Sequence, residues 1–175
     1  MGEQSAEGID FGGYSAFGLV GGTLTLGLSY SHLLKFERVE LSSAGTSFVT
    51  RDLTGEYEYP EDRATLTADW ANDRWGVYAN LAYIGPFEDT PDFDFDGTLD
   101  YDTHASREVG SFTTLNLQAR YTGIKHVKLL LGVDNVFDES PPFAIGDGDT
   151  DLYGYVQSQH GPRGRFWNAK AVFTF

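Results

Sequence analysis

Apolar and polar residues alternate along much of this chain, and a period of two specifies β-strands, not helices. In Thr23-Leu24-Thr25-Leu26-Gly27-Leu28-Ser29-Tyr30-Ser31 the leucines and Tyr30 share one face. The threonines, serines and Gly27 share the other. The same reading recurs through Arg63–Trp70, Trp75–Tyr83, Thr114–Tyr121, Val127–Asp134 and Trp167–Phe175, with Leu130 and Val172 out of phase. A weaker strand near the start sets Ile9 and Phe11 against Asp10 and Gly12. No comparable stretch has helical periodicity. The expectation is an all-β, antiparallel, up-and-down meander of about seven strands.

The connections alternate in length. Short turns are expected near Phe17–Gly22, at Asn72-Asp73 and at Gly123–His126. Long loops are expected near Glu40–Asp62, Glu88–Val109 and Asp138–Pro162. In an up-and-down sheet, short and long connections collect at opposite ends. Membrane barrels show that asymmetry, although a soluble meander with insertions would share it. Charge follows the same division. The long loops hold 6, 8 and 5 acidic residues, 19 of the 26 in the chain, and only Arg51 and Arg107 among the 12 basic ones. The net charge of −14 therefore belongs mostly to one end of the sheet.

That charge repels phosphate backbones and argues against nucleic-acid binding. The chain has no cysteine, which excludes disulfides, thiolate zinc sites and cysteine nucleophiles. No apolar run approaches the roughly 18 residues of a membrane helix. Strands cross a membrane on a weaker, alternating signal, so a mean hydropathy of −0.31 does not exclude the bilayer.

Alternation alone leaves open which face meets lipid. Aromatic placement favours an outward apolar face. Trp75 and Tyr83 bracket one strand, and Trp167 and Phe175 another, each pair eight positions apart. Eight rises of ~3.3 Å on a strand tilted ~40° span roughly 20 Å, near the ~25 Å apolar band between aromatic girdles. Trp70 and Tyr121 would join the girdle beside Trp75.

The segment Leu131-Gly132-Val133-Asp134-Asn135-Val136-Phe137-Asp138, followed by Glu139-Ser140-Pro141-Pro142-Phe143, resembles the penultimate strand and outer loop of TonB-dependent outer-membrane receptors. Gly161-Pro162-Arg163-Gly164-Arg165-Phe166-Trp167 resembles the opening of that family's final strand. The matching residues are Asn135, Phe137, Asp138, Gly164 and Arg165. The chain then ends on Phe175 behind Phe173, Ala171, Ala169 and Trp167 at alternating positions. This resembles the signal read by the barrel-assembly machinery, carried by Phe175, Phe173, Ala171 and Trp167. Looser likeness extends over residues 1–175, and the strongest lies in 129–175. The family's barrel has 22 strands around a plug. Seven strands, with the plug, the TonB-contacting segment and a signal peptide unmatched, lead to the expectation of a C-terminal section of a transmembrane barrel. An eighth strand within Phe48–Tyr59 is the alternative.

Asp92-Phe93-Asp94-Phe95-Asp96-Gly97, with Asp100 and Asp102, matches the opening of a calcium loop, where three carboxylates converge while Gly turns the chain. Thr103 stands where a bidentate Glu belongs, and the bland reading is a solvated acidic loop. Asp147, Asp149 and Asp151 form a shorter cluster. The resemblance makes calcium ordering of such outer loops plausible; no other cofactor is expected. His32, His104, His126 and His160 share no ligand spacing. Gly12-Gly13-Tyr14-Ser15-Ala16 is no nucleophile elbow. No carboxylate pair stands out as a catalytic dyad, so the chain does not read as an enzyme.

The resemblance implies part of an active-transport receptor in the bacterial outer membrane. Its cargo would be a scarce nutrient: a siderophore, a vitamin or a saccharide. The partners implied are outer-membrane lipid, the barrel-assembly machinery, the rest of the receptor with its plug, and TonB through segments not matched here. Two other readings remain: a soluble lipocalin-like binding module with the apolar face inward, and a small autonomous outer-membrane barrel.

Overall fold

The computed structural model describes residues 3–41, 47–56, 58–89, 107–144 and 154–175. It holds ten strands and no helix among them: β1 (Gln4–Leu19), β2 (Gly22–Leu41), β3 (Phe48–Asp52), β4 (Asp62–Ala71), β5 (Trp75–Ile84), β6 (Phe87–Asp89), β7 (Arg107–Val109), β8 (Phe112–Ile124), β9 (Val127–Asp134) and β10 (Phe166–Phe173). Eight of them form one antiparallel sheet: seven run in the order β1-β2-β4-β5-β8-β9-β10, and β3 pairs with β2 off that row. The seven in the row are the strands expected from alternation. The other three are short strands within the long loops. β3 does fall within Phe48–Tyr59, but it pairs with the outer end of β2 and adds nothing to the row. β6 and β7 pair only with each other.

The register keeps one side of the sheet apolar from edge to edge. Directly paired residues point to the same face. One row across the sheet runs Phe17, Leu24, Trp70, Val77, Ala119, Leu131, Ala169. The row beside it, pointing the other way, runs Ala16, Thr25, Asp69, Tyr78, Gln118, Gly132, Asn168. A slip of one residue at any pair would mix the two rows. On the polar face, Gly27, Gly76 and Gly132 stand directly opposite Thr67, Arg120 and Asn168. A Cβ at each glycine would come within 2.6, 2.8 and 2.6 Å of those side chains. The polar side chains thus lie across the glycine backbones.

The short turns are tight. Val20 (φ 48°) and Gly21 (φ 68°) link the paired Leu19 and Gly22, the double positive φ of a two-residue hairpin. At the second turn, Asn72 Oδ1 accepts from the Arg74 and Trp75 amides at 2.9 and 2.8 Å. His126 (φ 64°) sits in the third. The Trp70 indole N–H donates to the Leu19 carbonyl at 2.8 Å, and Trp75 packs on Tyr121 at 4.4 Å. That makes an aromatic belt near the short turns. At the other end the apolar face gives way to a polar cluster: Tyr30 donates to Asp62 at 2.6 Å, and His32 Nδ1 lies 2.8 Å from the same carboxylate oxygen. The apolar band therefore has a defined lower and upper limit, as a bilayer-facing strand requires.

Burial is inverted relative to a soluble domain. Leu26, Leu66, Leu117, Leu131 and Trp167 on the apolar face are exposed. The most buried apolar side chains, including Phe87, Val109, Ala144 and Val156, lie in the outer loops. Loop residues Gln159, Gly161, Pro162 and Arg163 fold over Thr114, Asn116 and Asp134 on the polar face. The polar face is therefore the covered, inner one. This opposes the lipocalin-like alternative, which needs the apolar face inside. β1 is exposed along all its 16 residues, and β1 and β10 form the two edges of the sheet. Such edges are pairing surfaces, and in hydrocarbon their backbone groups must be satisfied.

The absence of cysteine makes the faces directly testable with single-cysteine spin labels in lipid bilayers. Labels at Leu66 and Leu117 should collide with oxygen dissolved in the bilayer. Labels at Thr67 and Gln118 should collide with an aqueous nickel complex. The reverse pattern would put the apolar face inside.

Candidate ligand-binding mouth

The long connections form a roof over the outer end of the polar face, built from three chain segments far apart in sequence. Its core is Phe87 and Val109, brought together by β6–β7 pairing, with Ala144 and Val156 from the last loop. Asp89 is fully buried beside this core. Arg107 reaches its carboxylate at 3.2 Å, donates to the Phe143 carbonyl at 2.9 Å and lies 4.8 Å above the Phe143 ring. One guanidinium thus joins the second and third loops. A charge buried this deeply is strongly destabilising if its partner is lost. The first loop is tied in by backbone and side chain. The Glu88 amide donates to the Gly55 carbonyl at 2.7 Å. Ser158 Oγ donates to Glu58 Oε1 at 2.8 Å, and Gln159 Nε2 to the Glu58 carbonyl at 3.0 Å.

The first loop is clasped in turn onto β2. Phe36 stacks on Tyr59 at 4.2 Å, and Arg38 lies over both rings while bonding the Tyr59 hydroxyl. Thr54 Oγ1 accepts from the Phe36 amide at 2.7 Å and donates to Asp52 at 2.6 Å. This hydroxyl and its amide hold the Asp52 carboxyl below the usual carboxylate range.

Between roof and sheet lies an open cleft of about 510 Å³. Thr114, Asn116 and Asp134 line it from the sheet, and Gln159 and Arg163 from the roof. Gln159 Oε1 has no hydrogen-bond partner among the described residues. The lining mixes amide, hydroxyl, carboxylate and guanidinium groups, which suits orientation of a polar ligand. Nothing in it forms a nucleophile–base pair. Arg163 lies 4.8 Å above the Phe166 ring.

His160 anchors the roof to the sheet. It is 3 % exposed, stacked 6.2 Å from Phe87 and edge-on 5.1 Å from Phe112. Neither ring nitrogen has a partner among the described residues. Burial, with the Arg63 charge as a second cause, pushes its imidazole below the ordinary histidine value.

The motif residues act together as a staple. Asn135 (φ 51°) is buried; its amide donates to Asn116 Oδ1 at 2.8 Å, and its side chain exchanges two hydrogen bonds with the Glu139 backbone at 2.7 and 3.0 Å. Asp138 (φ 58°) accepts from the Arg165 amide at 2.7 Å. Gly164 is needed beside it, because a Cβ there would come within 2.6 Å of Asp138 Oδ1. The two ends of the last loop are thereby pinned together. Phe137 is largely exposed.

Of the other sequence candidates, Trp167, Ala171 and Phe173 share the apolar face, paired with Val133, Leu129 and Val127. Phe175 lies beyond β10 and is fully exposed. Asp92, Asp94, Asp96, Asp100, Asp102, Thr103 and His104 lie outside the described residues, as do Asp147, Asp149 and Asp151. Among the described residues no group of three or more His, Asp or Glu could hold a metal ion. Sequence reasoning missed the roles of Asp89, Arg107 and His160, each of which reaches its partners only through the fold.

Replacing Asn135 with Ala should cost about 2 kcal/mol, from two lost hydrogen bonds and a positive φ that Ala tolerates poorly. Asn135→Gly should cost less, since it keeps the backbone freedom; denaturant unfolding in detergent measures both. The depressed His160 pKa carries a sign. The unfolded histidine takes a proton near pH 6.5 while the folded one stays neutral, so roof stability should fall as pH drops below about 6.5. His160→Phe should remove that dependence and leave the roof at least as stable, because two unpaired nitrogens vanish. Hydrogen exchange of residues 154–163 across this pH range reads both effects.

A family model described as TonB dependent receptor-like, beta-barrel matches residues 1–136. The match covers β1 through β9 and includes Asn135, while Phe137, Asp138, Gly164 and Arg165 lie beyond it. No curated protein and no solved structure gave a significant match. The family is one of outer-membrane receptors and transporters, not of enzymes. With an antiparallel up-and-down sheet, a bare apolar face and loops closed over the polar one, the chain belongs to the TonB-dependent receptor β-barrel family.

Proposed function

We propose that this chain forms part of the wall and the outer mouth of a receptor that imports a scarce nutrient, such as a siderophore, a vitamin or a saccharide. The observation that carries the reading is the roof: three interlocked loops over a polar cleft of about 510 Å³ at the end of the sheet farthest from the short turns. The chemistry is binding followed by transport. In the intact receptor, TonB would energise release through the plug, and further strands would pair with β1 and β10. Lipid would cover the apolar face. Trp167, Ala171, Phe173 and Phe175 would serve as the signal for the barrel-assembly machinery. Phe175 suits that role because it is exposed and stands clear of the sheet.

The test is genetic. In the source bacterium, deleting the gene should abolish uptake of one nutrient class, and inactivating TonB should abolish the same uptake. Uptake of every candidate nutrient unchanged by the deletion would overturn the reading. Deleting Phe175 alone should lower the amount of receptor in outer-membrane fractions severalfold; an unchanged amount would remove the assembly role.

The acidic run belongs to the same proposal as a calcium-ordered loop at the mouth, held by Asp92, Asp94, Asp96, Asp100 and Asp102. What supports it is the carboxylate spacing. Calorimetry should detect calcium binding that the combined Asp92→Ala, Asp94→Ala and Asp96→Ala substitutions abolish.

A further inference from the structure

The two charges of the inner cleft do not neutralise each other. Asp134 and Arg163 are the only charged residues that line it among the described ones. Neither forms an ion pair with any described residue. One ring relates them. Phe166 is the cross-strand partner of Asp134, so the two share the polar face. The Arg163 guanidinium lies 4.8 Å above that same ring. Stacking occupies the flat face of a guanidinium and leaves the N–H donors on its rim free. The cleft thus presents one cation and one anion side by side, both open to a ligand.

A third group in the same lining lacks a partner. Gln159 Nε2 donates to the Glu58 carbonyl at 3.0 Å, which fixes the side-chain amide. Its Oε1 is buried and accepts from nothing among the described residues. A buried acceptor left unpaired costs free energy that a ligand N–H would recover. Ile84, Phe112 and Pro162 add apolar surface to the cleft. Charge separates the classes of ligand. A purely anionic ligand meets Asp134 without compensation, and a purely cationic one meets Arg163. An uncharged ligand would take both charges out of water and pair neither, which is costly. A ligand with one charge of each sign pairs both.

We infer that this cleft binds a zwitterion, a short peptide with both termini free. Its ammonium pairs with Asp134, its carboxylate with Arg163, and a backbone N–H donates to Gln159 Oε1. The inference rests on the proposed receptor reading and takes the cargo of that cleft beyond the nutrients named there. Arginine's planar fork matches a carboxylate with two parallel hydrogen bonds. At neutral pH a free peptide carries both terminal charges. A volume of about 510 Å³ lies in the range of small-ligand pockets.

The intact receptor, extracted from outer membranes in mild detergent, is titrated by calorimetry at neutral pH with trialanine, N-acetyl-trialanine, trialanine amide and maltose. Wild type should bind trialanine, and either cap should weaken binding about tenfold, the scale of one charge-assisted hydrogen bond. Asp134→Asn should erase the difference made by the acetyl cap and keep that made by the amide. Arg163→Gln should do the reverse. The comparison of caps on wild type stands whether or not a variant folds. Equal binding of free and capped trialanine would overturn the site, as would the absence of trialanine binding, with or without binding of maltose. The gene deletion separates the two levels. If trialanine fails to bind while the deletion abolishes uptake of one nutrient class, the zwitterion site alone is refuted. If trialanine binds as expected while every uptake, of peptides included, survives the deletion, the transport reading falls instead.

Discussion

Everything in this structure hangs on strand register. Between the irregularities at Glu7/Gly8 and Tyr121/Ile124 the seven strands keep a single phase, so the row from Phe17 to Ala169 stays apolar and the row from Ala16 to Asn168 stays free of large aliphatic groups. With a period of two, the faces exchange completely on a one-residue slip. The tight turns enforce the phase. Val20-Gly21, Asn72 with its two amide bonds, and the turn at His126 each fix the alignment of a hairpin. The glycines opposite Thr67, Arg120 and Asn168 reinforce it from within, because each polar side chain finds a bare backbone only at the correct pairing.

Once the faces are assigned, the two ends of the sheet acquire different chemistry. The end with short turns carries an aromatic belt of Trp70, Trp75 and Tyr121. The other carries an acidic, hydrogen-bonded superstructure. The loops there have an apolar core of their own, centred on Phe87 and Val156, and an ion pair between the buried Asp89 and the exposed Arg107. The sheet supplies a wall and the loops supply a small folded body on top of it. That division lets the mouth present varied polar groups without disturbing the pairing below. It also explains why acidic residues cluster in the loops, where water and basic partners can meet them.

Much of the sheet was legible because alternation leaves a direct trace of burial on one side. The seven long strands and the three short turns follow from it, and the family likeness follows from the Asn135–Asp138 and Gly164–Arg165 elements. β1 read as weak because Gly13 and Ser15 occupy its apolar face, so only pairing with β2 reveals its full length. β3, β6 and β7 are too short and too acidic for a period of two to show. The roof was hidden for a different reason. Asp89, Arg107 and His160 lie in separate loops, and only the folded chain brings each to its partners. Asn135 and Asp138 were recognised as a pattern, but their positive φ angles and the bond to the Arg165 amide give the pattern its cause.

The roof also sets an order of events. Each neighbouring pair of long strands along the wall can zip from a nearby turn or a single loop, whereas the body above it joins segments around residues 55, 88, 108 and 158. Contacts that span a hundred residues carry the largest loop-closure cost and come late. A wall can therefore be complete while its mouth is still open. Under the proposed function, binding waits on the roof, whereas the lipid-facing wall does not.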